Sequence, residues 1–184
     1  MVWIIIIAVV VLLILWAIGV QNALVKKRMQ AENAFADIDV QLVKRYDLIP
    51  NLVETIKGYA KHEKSTLEEV IAIRNKAVSA EGVNAKIDAD NQMTEAIGKL
   101  FALAEAYPDL KANNNFLDLH DKLDKIETEL AGARKYYNAA ARNYNYAIAV
   151  IPKNIVAKIF GHKPMQMFTA TEEQRQSVKV NFDE

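Results

Sequence analysis

Few residues of this chain have the types and the spacing that catalysis requires. The segment His62-Glu63-Lys64-Ser65-Thr66 begins like the zinc motif His-Glu-x-x-His, but Thr66 stands where the second histidine belongs. Gly98-Lys99 lacks both the upstream glycine and the following serine or threonine of a phosphate-binding loop. There is no cysteine, which excludes thiol nucleophiles, disulfides and thiolate metal sites. The motifs therefore predict neither an enzyme nor a bound cofactor.

Three carboxylates are the best candidates for a metal site. Asp118, Asp121 and Asp124 recur every three residues, so on a helix they share one face. They would hold a divalent cation only with further oxygens from a second helix. Lys122 and Lys125 lie close enough along the helix to pair with them. An exposed charged face is the preferred interpretation, and no metal ligand is assigned.

Polar side chains crowd the first and last predicted helices of the chain. The candidates for an interaction site or a polar network are Asp37, Asp39, Arg45, Asp47, Arg142 and Asn143. If the two helices pack antiparallel, arginine–carboxylate pairs would satisfy charges that are partly removed from water. We interpret these residues as a network that fixes helix register, with a docking surface or ligand cleft as the functional alternative.

The elements that would position these groups follow an apolar N-terminal stretch. Val2 to Val20 contains no charged residue, and as a helix it would be about 28 Å long, close to the thickness of the bilayer hydrocarbon. Trp3 and Trp16 stand near its two ends, where amphipathic rings favour the headgroup region. Without a basic segment before it and a clear cleavage site after it, an uncleaved transmembrane anchor is favoured over a signal peptide.

Basic residues after the anchor predict its orientation in the membrane. Lys26, Lys27 and Arg28 follow directly, so the positive-inside rule puts the N-terminus outside and the rest of the chain in the cytoplasm. Anionic headgroups of the lipid bilayer would attract the same cluster. Lysine plus arginine and aspartate plus glutamate balance at 23 each, so no basic field indicates nucleic acid as a partner.

Helical periodicity covers the remainder of the chain. We expect the first helix to break or kink near Asp47–Pro50, a capping box at Thr66–Glu69 to begin or restart a helix, and a turn at residues 80–84. A single apolar stripe then alternates in steps of three and four from Phe116 to Ile151, which is typical of bundles and coiled coils. A short amphipathic helix is predicted between Pro152 and Gly161.

These elements predict an all-α protein. The N-terminal transmembrane helix would continue into an elongated antiparallel bundle of three or four long helices, followed by the short C-terminal helix. The predicted domains are an anchor at residues 1–21, a helical bundle at 22–161, and a tail at 162–184, in which Met165 to Glu184 forms a loose strap with a brief helix after Thr171.

Two longer segments resemble the LemA family. They are the run from Asp37 to Thr55 with Lys57-Gly58-Tyr59-Ala60 and His62-Glu63 after it, and Ala141-Arg142-Asn143-Tyr144-Asn145 with Ile151 to Ala157 and Phe160-Gly161. The resemblance implies a bacterial membrane protein with one N-terminal span and a bundle of long helices. It implies no established enzymatic activity. The chain departs from the family pattern at Gln21-Asn22, where Tyr-Asn is expected, and at Phe35, where tryptophan is usual.

Two classes of function remain. The first is a non-enzymatic, membrane-anchored scaffold or interaction module, which would act through a homo-oligomer or a cytoplasmic protein partner. The second is a metal-dependent hydrolase or ligand-binding protein that uses an inter-helix cluster of aspartate, arginine and histidine. The anchor, the long helices and the missing catalytic motifs favour the first class.

Overall fold

The computed structural model describes residues 1–169, and within them the chain forms helices and no strands. The helices are α1 (Val2–Lys57), α2 (Lys64–Val78), α3 (Val83–Glu105), α4 (Pro108–Lys111), α5 (Asn114–Ala149) and α6 (Lys153–Ile159). The predicted all-α class, with a long apolar helix at the N-terminus, is confirmed. The contacts divide the chain into two compact units, which are described separately.

Helix α1 continues through the proline that was expected to end it. Pro50 lies inside the helix, so the prediction of a break there is wrong. A proline removes the amide hydrogen that would bond the carbonyl four residues earlier, here that of Tyr46. Arg74 of α2 replaces it, because its Nε donates to the Tyr46 carbonyl oxygen at 3.2 Å. A guanidinium from a neighbouring helix thus satisfies the backbone group that proline leaves exposed.

The first unit comprises Met1–Arg45 and Leu123–Met167. In it α1 packs antiparallel to the C-terminal part of α5, since Phe35 meets Tyr137 edge-on at 5.4 Å and Arg45 reaches back to Glu127 at 3.0 Å. Apolar residues at helical spacing form the core of this unit: Ala31, Phe35, Ile38, Leu42, Ile126, Leu130, Tyr137, Ala141 and Tyr144. The apolar residues at intervals of three and four on α1 are therefore buried against α5.

The second unit is built from Tyr46–Lys122. Helices α2 and α3 form an antiparallel hairpin, because Lys99 of α3 meets Glu69 of α2 at 3.2 Å. The predicted turn between them is confirmed, with Gly82 at a φ of 82° that side chains disfavour. The predicted capping box is wrong. Helix α2 begins at Lys64, two residues earlier, and its N-cap residue Glu63 makes no side-chain capping bond.

Helix α5 carries the long stripe that the sequence predicted. Asn113 caps its N-terminus, since its Oδ1 accepts hydrogen bonds from the amides of Asn115 and Phe116 at 2.9 and 3.1 Å. The stripe is buried at Phe116, Leu119, Leu123, Ile126, Leu130, Tyr137, Tyr144 and Ala147. The last predicted member, Ile151, lies beyond the helix end and is exposed.

The segment after α6 is bound to the first unit rather than loose. Asn145 pairs with Met165 through two hydrogen bonds of 2.8 Å, from its Nδ2 to the Met165 carbonyl and from the Met165 amide to its Oδ1. The Tyr137 hydroxyl donates to the Gln166 carbonyl at 2.7 Å. For Met165 and Gln166, the expectation of a loose strap is therefore wrong. The brief helix expected after Thr171 lies outside the described residues.

Candidate interaction surfaces

A carboxylate held between two arginines is the main polar cluster of the first unit. Arg45 on α1 is only 1% exposed, and its Nη1 donates to Glu127 Oε2 at 3.0 Å. Arg134, two turns further along α5, donates to the other oxygen, Glu127 Oε1, at 2.8 Å. Because Glu127 is half-exposed, the cluster faces water on one side and the core on the other. It is suited to fix the register of α1 against α5.

The other predicted polar residues lie in several different environments. Asp47 lies 3.7 Å from Arg74 in the second unit. Asp37, Arg142 and Asn143 are exposed, and Asp39 is half-buried. Sequence reasoning named Arg45 correctly as a polar residue at a buried position but did not single out Glu127. The signal that could have found it is its position one residue after the stripe residue Ile126.

The predicted charged face of α5, with Asp118, Asp121 and Asp124, is exposed, and its first two carboxylates have nearby partners. Lys122 donates to Asp118 at 2.7 Å, and His120 lies 3.9 Å from Asp121. The His120 ring packs edge-on against Phe101 of α3 at 4.7 Å, which gives it an apolar neighbour instead of a second ligand. Among residues 1–169, no three histidine, aspartate or glutamate side chains converge as a metal site would require.

A histidine links the end of the apolar stretch to the C-terminal segment. His162 Nε2 lies 2.9 Å from Gln21 Oε1, and its Nδ1 lies 2.9 Å from the Tyr144 hydroxyl. The pKa of that hydroxyl is raised, because the effect of burial is larger than the opposite effect of the nearby Arg28 guanidinium. His162 and Gln21 stand 141 positions apart, and neither was singled out, because their pairing follows from tertiary packing alone.

The apolar N-terminal part of α1 is exposed along its length. It is the only helix within residues 1–169 that is long and apolar enough to cross a bilayer, and none of its most apolar window is buried in the protein. Trp3 and Trp16 are exposed with it. Lys26, Lys27 and Arg28 follow on the same helix, and Arg28 pairs with Glu32 at 2.8 Å. The stretch is thus a candidate membrane span, with the basic cluster just beyond it.

A second apolar surface continues along α1 beyond the span. Val25, Met29, Ala36, Val40 and Val43 are all exposed, and at 100° per residue they fall within about 60° of one another. We call these residues the exposed α1 stripe. They face away from the buried stripe that packs on α5, and their intervals of three, four and seven residues are those of a coiled-coil seam.

The second unit contains an open groove between the end of α1 and α2. Its cavity volume is about 640 Å³, and its apolar wall includes Val53, Leu67 and Ile71. Three lysines line its rim, of which Lys57 pairs with Glu54 at 3.0 Å and Lys64 with Glu68 at 3.6 Å. The third, Lys61, pairs with no acidic side chain among the described residues. The groove therefore combines an apolar wall with one available positive charge.

Comparison with known proteins places this architecture in a family. The model of the LemA family matches residues 34–182, so the chain belongs to the LemA family. It is 24% identical to Protein LemA of Metamycoplasma hominis, over 89% of this chain and 75% of that protein. It is also 25% identical to Magnetosome protein MamQ of Magnetospirillum gryphiswaldense, over 80% of this chain.

The likeness to the magnetosome proteins is partial. The match to MamQ of Magnetospirillum gryphiswaldense covers 64% of that protein. Magnetosome protein MamQ 2 of Paramagnetospirillum magneticum is 34% identical over 87 residues, which are 47% of this chain and 32% of that protein. The family match, which begins at residue 34, covers the helical region beyond the candidate span.

Proposed function

We propose that this protein is a non-enzymatic scaffold, anchored in the bacterial inner membrane, that assembles with further copies of itself. The observation that carries the proposal is the exposed α1 stripe, which continues the candidate span along one helix without a break. Anchored copies lie in one plane with the same orientation, so the same face of α1 is available on each of them. Parallel helices with apolar seams at coiled-coil spacing associate in this way.

Membrane anchoring is supported by the length and exposure of the apolar stretch. The apolar helical stretch from Val2 to Val20 matches the bilayer hydrocarbon, and leaving it in water would expose a far larger apolar surface than soluble proteins tolerate. The cluster Lys26, Lys27 and Arg28 supports an N-terminus outside and the helical units in the cytoplasm. The pairing of Asp118 with Lys122 favours a charged surface over the alternative of a metal-dependent hydrolase.

Disulfide cross-linking of the full chain in membrane vesicles tests the assembly. Because the chain has no cysteine, Met29→Cys and Val43→Cys each introduce one thiol on the exposed α1 stripe. Gln30→Cys is the matched control, since Gln30 is also exposed but lies about 100° away from Met29. Under mild oxidation we expect several-fold more covalent dimer at positions 29 and 43 than at position 30.

Equal cross-linking at the three positions, or none, would contradict assembly through this stripe. The remaining function would then be binding of a separate cytoplasmic protein in the groove of the second unit. Its apolar wall and the charge of Lys61 would select an amphipathic segment with acidic side chains.

A further inference from the structure

Helix α6 has one face that packs on the protein. Val156 and Ala157 are buried, and they form a small core with Val20 and Leu24 of α1 and Ala147 of α5. Ala17 of the apolar stretch packs against the same core. This contact holds α6 beside the turns of α1 at which the candidate span ends.

The opposite face of α6 is apolar and uncovered. Ile151, Ile155 and Ile159 are spaced four residues apart, so they form one stripe from the turn before the helix to its end. They are 82%, 56% and 73% exposed, and Phe160 beside them is 55% exposed. Four large apolar side chains on a single turn-and-helix segment form a patch that folding of this chain leaves unburied, and such patches mark interaction sites.

Position and charge identify what covers this face. The buried side of α6 touches Val20, the last residue of the apolar stretch, so the helix lies at the depth where the bilayer surface meets α1. Lys153, Lys158 and Lys163 are exposed in the same segment, and Lys26 follows the apolar stretch on α1. An apolar face bordered by lysines is the composition of helices that lie in the membrane interface. The lysine stems extend along the apolar surface while the ammonium groups reach the anionic headgroups.

We infer that α6 is an interfacial membrane helix, whose apolar residues Ile151, Ile155, Ile159 and Phe160 insert at the boundary between lipid headgroups and acyl chains. The inference rests on the membrane anchoring proposed above and adds a second point of contact with the bilayer. A span and an interfacial helix joined by a packed core define a fixed depth and a fixed rotation of α1. The two contacts thereby control which face of α1 is presented to a neighbouring copy.

Nitroxide labels at single introduced cysteines measure the depth in vesicles of phosphatidylethanolamine and phosphatidylglycerol. The full chain carries Ile155→Cys or Ile159→Cys, with Val10→Cys as the reference within the span. Lys44→Cys is the reference in water, because it is exposed and lies about 36 Å beyond Val20 along α1. We expect labels at 155 and 159 to be more accessible to oxygen than to a soluble nickel chelate, with depths between those of the two references.

Two results would overturn the inference while leaving the anchoring intact. One is nickel accessibility at 155 and 159 equal to that at position 44, with position 10 still in lipid. The other is protection from both oxygen and nickel with spin–spin broadening, which would show that a second copy covers the face. A label at position 10 that is accessible to nickel would instead contradict the anchoring itself.

A measurement without a nitroxide keeps the test independent of the label. Phe160→Trp is introduced together with Trp3→Phe and Trp16→Phe, so that one tryptophan remains. We expect bromine atoms near the headgroup end of the acyl chains to quench it at least twofold more strongly than bromine atoms near the bilayer centre. Absence of quenching by either lipid would overturn the inference.

Discussion

At the scale of single residues, buried tyrosines of α5 hold the C-terminal segment in place. Tyr137 is fully buried, and its hydroxyl bonds the Gln166 carbonyl. Burial raises the pKa of this hydroxyl above its ordinary value of 10.0. The folded protein therefore binds the proton more tightly than the unfolded chain does, and the stabilisation is fully present below pH 10. It is lost as the pH rises above that value.

Tyr137→Phe is expected to change both the level and the pH dependence of stability. At pH 8 the free energy of unfolding should fall by about 1 kcal/mol, because the hydrogen bond to Gln166 is lost. Above about pH 10 it should fall less steeply than in the original protein, because the hydroxyl whose pKa burial raises in the folded protein is gone. Denaturant unfolding in detergent, followed by circular dichroism at these pH values, measures both effects.

The neighbouring residue supplies the control for this measurement. Tyr136 is 65% exposed, so Tyr136→Phe should leave the pH dependence as it was. A slope above about pH 10 that is the same in both variants and in the original protein would contradict the role assigned to Tyr137.

At the scale of elements, the sequence predicted which segments are helical but not where the backbone groups find partners. Apolar spacing identified the long stripe of α5 and the short helix between Pro152 and Gly161, because local periodicity alone determines them. The break expected at Pro50 does not occur. The donor that replaces the missing amide, Arg74, comes from another helix, so the residues around the proline do not reveal it. The strap residues Met165 and Gln166 are fixed by Asn145 and Tyr137 in the same non-local way.

The role of Arg74 in keeping α1 continuous is tested by a double-mutant cycle. Arg74→Leu should lower the free energy of unfolding by about 1–3 kcal/mol, because the Tyr46 carbonyl loses a charged donor. In a Pro50→Ala background the new amide at position 50 can bond that carbonyl, so the same substitution should cost clearly less. Denaturant unfolding of the four proteins gives the coupling energy. An equal cost of Arg74→Leu in both backgrounds would show that Arg74 acts independently of the proline.

The candidate site illustrates the same limit of sequence reasoning. The sequence analysis named Arg45 as a candidate for the polar network, and in the structure its side chain is buried. Its partner Glu127 was not chosen from the sequence, because other carboxylates on the two helices, such as Asp37 and Asp124, had equal claims by type. The register of α1 against α5, which only the packed core determines, decides between them.

At the scale of the whole molecule, two apolar surfaces of the first unit stay exposed among residues 1–169 in addition to the candidate span. One is the exposed α1 stripe, and the other is the outer face of α6. Apolar patches exposed to water are unfavourable unless they bind something, so a membrane anchor alone does not explain these two surfaces. The contact proposed between α6 and lipid and the contact proposed between α1 and a second copy would cover these two surfaces.

Light scattering of the detergent-solubilised full-length protein tests this assembly most directly. The measured quantity is the protein mass, corrected for detergent, against the 20.7 kDa of one chain. We predict a uniform mass of at least two chains, reduced to one chain by the combined substitution Val40→Lys and Val43→Lys. Gln30→Lys, which adds one positive charge off the stripe, should leave the mass unchanged. A single-chain mass for the unsubstituted protein would contradict the account.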